Sequence, residues 1–347
     1  MKICESAKKI ISPVVGVFTG IFVGALIMLI RGFDPLVAYK ALFMGAFGSV
    51  DNFITTLIKT TPLGLTGLAV LIAYRAGIFN IGCEGQLQLG AIMATVIGVT
   101  NYGLSDEMHI IVCIMAAMLA GIMFAMIPAI AKIWRGYNEI VVTMLLNYVA
   151  VYFTQFLLQG ALREPGQMFP QSARLLVRLP VIFSVKRLHI GIVFFLLASV
   201  FLYLLLNQLS FGFRVRAVGL NPNACDYAGI SSKRTMLSAM IISGALAGLA
   251  GACEVMGVHG RLVENFSPGY GYDAIAVALL ANLHPLGVLA SALFFGVLRS
   301  GAANMQIATN LPVAFVQIVQ GVAVICVIIL DKLPDYLRSM GRTTNAI

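Results

Sequence analysis

Carboxylates and amides gather at a few places in this sequence, and their spacing limits the chemistry they can do. Tyr74 to Gln86 brings Asn80, Glu84 and Gln86 together with Gly77, Gly82 and Gly85. Asn138-Glu139-Ile140 leads to Asn147 and Gln155, and positions 140, 144, 147, 151 and 155 recur at helical spacing, so both amides lie near one stripe. Asn282-Leu283-His284-Pro285 interrupts a long apolar run. Groups of this kind hydrogen-bond a neutral polar solute, or bond one helix to the next. The first stretch also reads as a solvated turn. No catalytic group stands out. There is no G-x-x-x-x-G-K-[ST] and no Gly-Lys pair to cradle a nucleotide phosphate, and no H-E-x-x-H for zinc. His109, His189, His259 and His284 are far apart, which supports neither a catalytic nor a metal site. Cys4, Cys83, Cys113, Cys225, Cys253 and Cys326 form no CxxC and read as small packing residues.

The elements that position these groups follow from composition. Of 347 residues, 60% are hydrophobic and 11% charged, with a mean hydropathy of +0.94. A soluble domain carries about 25% charged residues, so most of this surface must face lipid. Charge-free windows run over Ile10–Ile30, Thr60–Tyr74, Gly85–Ser105, Ile110–Ala131, Ile140–Leu162, Leu188–Phe213, Thr235–Cys253, Ala274–Leu298 and Ser300–Leu330. Tyr39–Ile58 carries Lys40 and Asp51 and reads as an interfacial or partly buried helix. Lys2, Lys8 and Lys9 precede an uncleaved first span, because no small-x-small cleavage site ends the run. Gly16, Gly20 and Gly24, and likewise Gly244, Gly248 and Gly251, suit close helix contacts.

Direction comes from the short links. Asp106–His109 holds two acids and no Lys or Arg, whereas the next link holds Lys132 and Arg135, so the first is outside and the second inside. Arg214, Arg216, Lys233 and Arg234 then fall inside as well, and Arg163–Arg187 falls outside despite five basic residues. The proline at 285 splits Ala274–Leu298 into a broken or re-entrant pair, because proline lacks a donor and disfavours helix before it. Lys332, Arg338 and Arg342 place the C-terminus inside. The fold class is an all-α membrane protein, a polytopic helical bundle of about ten membrane elements with both termini cytoplasmic. The whole of 1–347 forms a single transmembrane domain. Net charge is +9, and its clustering at span ends calls for no nucleic acid.

Between two spans, Phe211–Ile230 lies on the inside. Asn221 suits a helix cap, Pro222 its first turn and Gly229 its end, which predicts a helix of about two turns along the membrane surface. At this loop the sequence resembles the ABC-importer permeases of the branched-chain amino acid and ribose type. Gly219, Asn221, Ala224, Tyr227, Ala228 and Gly229 match that family's coupling segment. Phe79 to Gln86 resembles the F-N-I-G-x-E-G-Q signature of its nucleoside and simple-sugar branch. Asn138-Glu139-Ile140 with Leu146-Asn147-Tyr148 resembles that branch's N-E-x and L-N-Y, and Ala278 to Gly287 its re-entrant region, with Ala281 and His284 departing from the pattern.

The resemblance implies a permease subunit of an ATP-driven importer in a bacterial inner membrane, with a coupling segment at about 211–234. It implies nucleosides as cargo, with ribose-like sugars as the alternative. From another class, a gradient-driven secondary carrier remains open. Partners would be a separate ATPase subunit that holds ATP and magnesium, a second permease subunit and an extracytoplasmic substrate-binding protein, and this chain would bind no cofactor and be no enzyme. Candidate pathway residues are Asn80, Glu84, Gln86, Glu139, Asn147 and Asn282.

Overall fold

The computed structural model describes the backbone of residues 2–183, 188–312 and 314–344, and the side chains of 14–182, 188–312 and 314–329. The basic side chains that argue for the side of each terminus (Lys2, Lys8, Lys9, Lys332, Arg338 and Arg342) lie outside the described residues, as do Cys4, Lys186 and Arg187.

In chain order, α1 spans Lys2–Ile30, α2 Pro35–Phe47, α3 Val50–Arg75, α4 Cys83–Val99, α5 Asp106–Arg135 and α6 Glu139–Gln159. A short hairpin, β1 (Val181–Phe183) and β2 (Leu188–His189), precedes α7 (Gly191–Asn207), α8 (Ser210–Leu220), α9 (Pro222–Tyr227) and α10 (Ser232–Ala252). A π-helical turn, Cys253–His259, continues α10, and α11 (Tyr270–Leu280), α12 (Gly287–Thr309) and α13 (Ala314–Thr344) complete the chain. Side-chain caps explain several starts: Asp34 accepts from Leu36 and Val37 N–H with Pro35 in the first turn, Ser49 accepts from Asn52 N–H, and Asn138 from Ile140 N–H.

Among the described residues, α3, α5, α6, α10 with its π-helical turn, and α12 are long and apolar enough to cross a membrane, and the bent pair α7–α8 makes a sixth. Five shorter apolar helices accompany them. Rows of apolar side chains stand exposed, including Met115, Leu119 and Met123 on α5 and Leu145, Tyr152 and Phe156 on α6. Only a lipid or protein environment accommodates such faces. The chain is an all-α, multi-pass membrane protein.

Three sequence windows need redrawing. The segment 39–58 is no single interfacial helix: α2 ends at Phe47, and Ser49 caps α3, which runs unbroken through Asp51 and Lys59 to Arg75. Leu188–Phe213 is not one straight span, because α7 and α8 meet at 75°. Ser300 starts no helix, because α12 passes through Arg299 and ends only at Asn310, whose φ is +56°. The broken pair between 274 and 298 is present, with Asn282 and Leu283 both at φ +53° between α11 and α12. Two left-handed residues in succession stop a helix outright.

Glycines set the closest contacts. A Cβ on Gly244 or Gly248 would strike the backbone of α5 at Gly121 or Ala117, and one on Gly251 the Leu87 carbonyl of α4. The α4–α5–α10 core therefore packs backbone to backbone, which dispersion favours where lipid removes any hydrophobic drive. Gly16 and Gly20 meet Val327 and Ala323 of α13, and Gly24 meets Val319.

The ends of the bundle sort by contact. Arg75 donates to the Leu283 carbonyl, Gly77 touches Gly219 and Met236, and Ala129 clusters with Ile78, Ile133 and Met236. That end carries Arg75, Lys132, Arg135, Arg214, Arg216, Lys233 and Arg234, and is called the basic end below. At the opposite end Leu176 N–H bonds to the Gly98 carbonyl and Ser172 N–H to that of Leu262, so the segment after α6 sits with the α4–α5 link. The link before α5 and the link after it therefore lie at opposite ends, as the short links predict.

Candidate functional site

Two helices begin inside the bundle rather than at its surface. The first turn of α4 lies level with Asn147 and Ser243, eight and eleven residues along α6 and α10 from the basic end. At 1.5 Å per residue these depths are about 12 Å and about 16 Å, near the middle of a 30 Å hydrocarbon layer. The first turn of α11 packs against the same place, with Gly271 so close to the Glu84 backbone that a Cβ there would clash.

A helix start exposes N–H groups that have no partner within the helix. The caps of α4 and α11 are Gly82 and Gly269, which have no side chain to offer. Other helices supply what is missing. Asn147 of α6 accepts from Gly85 N–H at 2.8 Å and donates to the Ile81 carbonyl at 3.0 Å. Glu84 accepts from Gly271 N–H at 2.8 Å, so α4 caps α11 with a carboxylate placed where two helix dipoles are positive. Asn80 and Gln86 exchange reciprocal amide bonds at 3.1 Å; Asn80 also donates to Ser243 at 2.8 Å and accepts from Gly82 N–H at 3.0 Å. All four side chains are buried, with Glu84 2% exposed and Asn147 fully enclosed.

The structure therefore brings Asn80, Glu84, Gln86 and Asn147 into one network. It leaves Glu139 and Asn282 elsewhere. Glu139 sits at the basic end, 2.8 Å from Lys132, and Asn282 lies in the turn between α11 and α12.

Charges at window edges in the sequence also come indoors. Arg299 holds Asp273 at 2.9 Å, donates to the Pro268 carbonyl at 2.9 Å and stacks 4.7 Å from the centre of the Tyr270 ring. Lys59 donates to the Arg299 carbonyl at 3.3 Å, and the buried Glu254 lies 3.6 Å from His259. Arg299 thus pins the start of α11 to α12.

Above the network opens a hollow of about 130 Å³, lined by Glu84, Gln88, Thr154, Gln155, Asn265 and Tyr272 among others. Gln88 reaches Glu84 at 3.5 Å and accepts from Thr154 at 3.1 Å. Asn265 and Tyr272 escape sequence reasoning because the 260–269 segment has no periodicity; Gln155 signals itself by its stripe.

At the basic end, α9 forms as predicted. Asn221 accepts from Ala224 N–H at 3.0 Å, and Gly229 closes the turn at φ +79°. Asp226 accepts from Ser232 N–H at 2.8 Å and from its hydroxyl at 2.7 Å, which holds the Asp226 carboxyl below the usual aspartate range. Leu220 and Tyr227 project outward, 88% and 95% exposed. Gly219 abuts the Arg75 carbonyl, leaving no room for a side chain.

A bundle with half-helices meeting at mid-depth is the setting of a membrane transporter, and the comparisons agree. Residues 52–328 match the family described as branched-chain amino acid transport system / permease component. This chain belongs to that permease family. The permease is 37% identical to the guanosine ABC transporter permease NupP of Bacillus subtilis over 320 residues, covering 91% of this chain and 92% of that protein. It is 33% identical to the nucleoside permease NupB of Lactococcus lactis, covering 87% and 86%, and 34% identical to the glucose permease TsgB13 of Haloferax volcanii, covering 94% and 88%. No solved structure matches it. Among the described residues of the permease, no three His, Cys, Asp or Glu side chains group as metal ligands.

Proposed function

We propose that this permease is one of two membrane subunits of an ATP-driven importer of nucleosides. The observation that carries the reading is the 37% identity to a guanosine permease, extending over nine-tenths of both chains. The site's chemistry supports it, because a hollow of amides and one carboxylate suits a neutral polar solute held weakly enough to leave. In this reading a separate ATPase binds ATP and magnesium, an extracytoplasmic binding protein delivers the nucleoside, and the permease itself needs no cofactor. The basic end and both termini face the cytoplasm of a bacterial cell, as the Lys/Arg excess on short loops favours.

The ATPase would grip α9 and its flanks through Gly219, Asn221, Ala224, Tyr227, Ala228 and Gly229. A partner moves an equilibrium only by binding one conformation better. An exposed Tyr227 on a capped helix provides the handle, and the Gly219–Arg75 contact leads from it to the interior.

Reconstitution into proteoliposomes tests the whole. Uptake of guanosine should require the ATPase, the binding protein and ATP. Replacing Asn221→Trp and Gly229→Val together should leave insertion and ATP hydrolysis intact while uptake per ATP collapses. Gradient-driven uptake by this chain alone would overturn the importer reading, and unchanged coupling in the double variant would remove the α9 assignment. A simple sugar is the second reading, favoured by the glucose permease relative, and glucose uptake in place of guanosine would establish it.

A further inference from the structure

The buried network and the hollow above it differ in one respect that bears on selectivity. Asn80, Gln86 and Asn147 spend their amides on protein groups, so they have little left to give a solute. Around the hollow the reverse holds. Among the described residues nothing hydrogen-bonds to the side-chain amides of Gln155 or Asn265, which both line it. Gln88 is oriented by Thr154 and Glu84 and retains a second N–H. The Tyr272 ring, 40% exposed, stands beside them.

An amide presents a donor and an acceptor side by side, which is how Gln and Asn read the edge of a base, and an aromatic face stacks any base. The lining holds no Lys, Arg or His, and its one charge-bearing side chain is Glu84. A phosphate would meet a carboxylate there and no cation, so the chemistry admits nucleosides and disfavours nucleotides.

The hollow is also incomplete. At about 130 Å³ it has room for several waters. A complete small-molecule site occupies some 300–1,000 Å³, and this one is partly open, with Val151, Thr154 and Gln155 of α6 in its wall and their sequence neighbours Tyr152 and Phe156 exposed.

We propose that this hollow is half of a nucleobase-recognition site within the permease itself, completed by the second permease subunit. Gln88, Gln155 and Asn265 read the base edge and Tyr272 stacks on its face. Transport selectivity is then set twice, once by the binding protein and again inside the membrane. This inference rests on the nucleoside reading.

The test uses the complete importer in proteoliposomes, supplied with guanosine and uridine together so that binding-protein selectivity is common to every variant. Gln155→Leu and Asn265→Leu should each change the guanosine-to-uridine uptake ratio, by about tenfold for loss of one paired contact, with nucleoside-stimulated ATP hydrolysis still present. Tyr272→Phe should retain more uptake than Tyr272→Leu, which should lower it for both nucleosides. A ratio that stays put while both rates fall in parallel, or Tyr272→Phe failing as badly as Tyr272→Leu, would overturn the proposal by showing a structural role only. A wild-type complex that carries neither nucleoside would sink the nucleoside reading itself, before any variant is made. Guanosine monophosphate inhibiting uptake through the permease as strongly as guanosine would also count against the site.

Discussion

Replacing Asn147→Ala tests whether α6 caps α4. The side chain is fully enclosed and makes two bonds to backbone groups, from Gly85 N–H and to the Ile81 carbonyl. Alanine strands both. Each buried, unsatisfied backbone group costs about 1–3 kcal/mol, and lipid offers no water in compensation, so the loss totals about 2–6 kcal/mol. At roughly 2 °C per kcal/mol for a chain of this size, the midpoint of thermal unfolding in detergent should fall by about 4 °C or more. Hydrogen exchange should locate the damage in the peptide spanning residues 79–88, leaving the exposed end of α5 unchanged. Val149→Ala, on the exposed face of the same helix, serves as the control and should stay within about 0.5 kcal/mol of wild type. If Asn147→Ala melts and exchanges like Val149→Ala, the cap is ornamental and the account of α4 fails.

Two further perturbations follow from the same geometry. Arg299→Leu leaves the half-buried Asp273 without its partner and should cost up to about 3 kcal/mol, whereas Arg299→Leu combined with Asp273→Leu should recover much of it; equal thermal midpoints for the single and double variants would contradict the pairing. Because Ser232 lowers the folded carboxyl of Asp226, the stability it lends the α9–α10 turn is full above the ordinary aspartate value of 3.8 and is lost as pH falls through the lower folded value. Exchange protection at Ser232 should therefore fade with acid in wild type and show no such transition in Asp226→Asn.

The sequence was most readable where local chemistry decides the structure. Asn221, Pro222 and Gly229 specify α9 through capping alone, and the proline at 285 marks the break that follows Ala281. Charge-free windows failed where a charge finds its partner across helices. Arg299 divides two windows in the sequence, yet Asp273 and the Pro268 carbonyl take up its charge and α12 continues through it. Lys59 likewise falls inside α3 because its ammonium reaches the Arg299 carbonyl. The same blindness hid half the site. Nothing within residues 260–272 announces that Asn265 and Tyr272 will meet Gln88 and Gln155, because only the start of α11 at mid-depth brings them there.

Glycine at 219 ties the two regions of interest into one mechanical path. The C-terminal end of α8 rests against the Arg75 carbonyl and Gly77, at the mouth of the turn that carries Asn80 and Glu84. No side chain cushions that contact, so a displacement of α8 and α9 bears on backbone rather than on a rotamer that can yield. Past the turn, Glu84 holds the Gly271 N–H of α11 and Asn147 holds the Gly85 N–H of α4. Beyond its first turn α4 is locked against α5 and α10 by glycine contacts, whereas the start of α11 rests on the Glu84 bond and the close approach of Gly271 to the Glu84 backbone. In the proposed importer, a push at the basic end would bear through this contact on the turn that leads to Glu84, which lines the hollow.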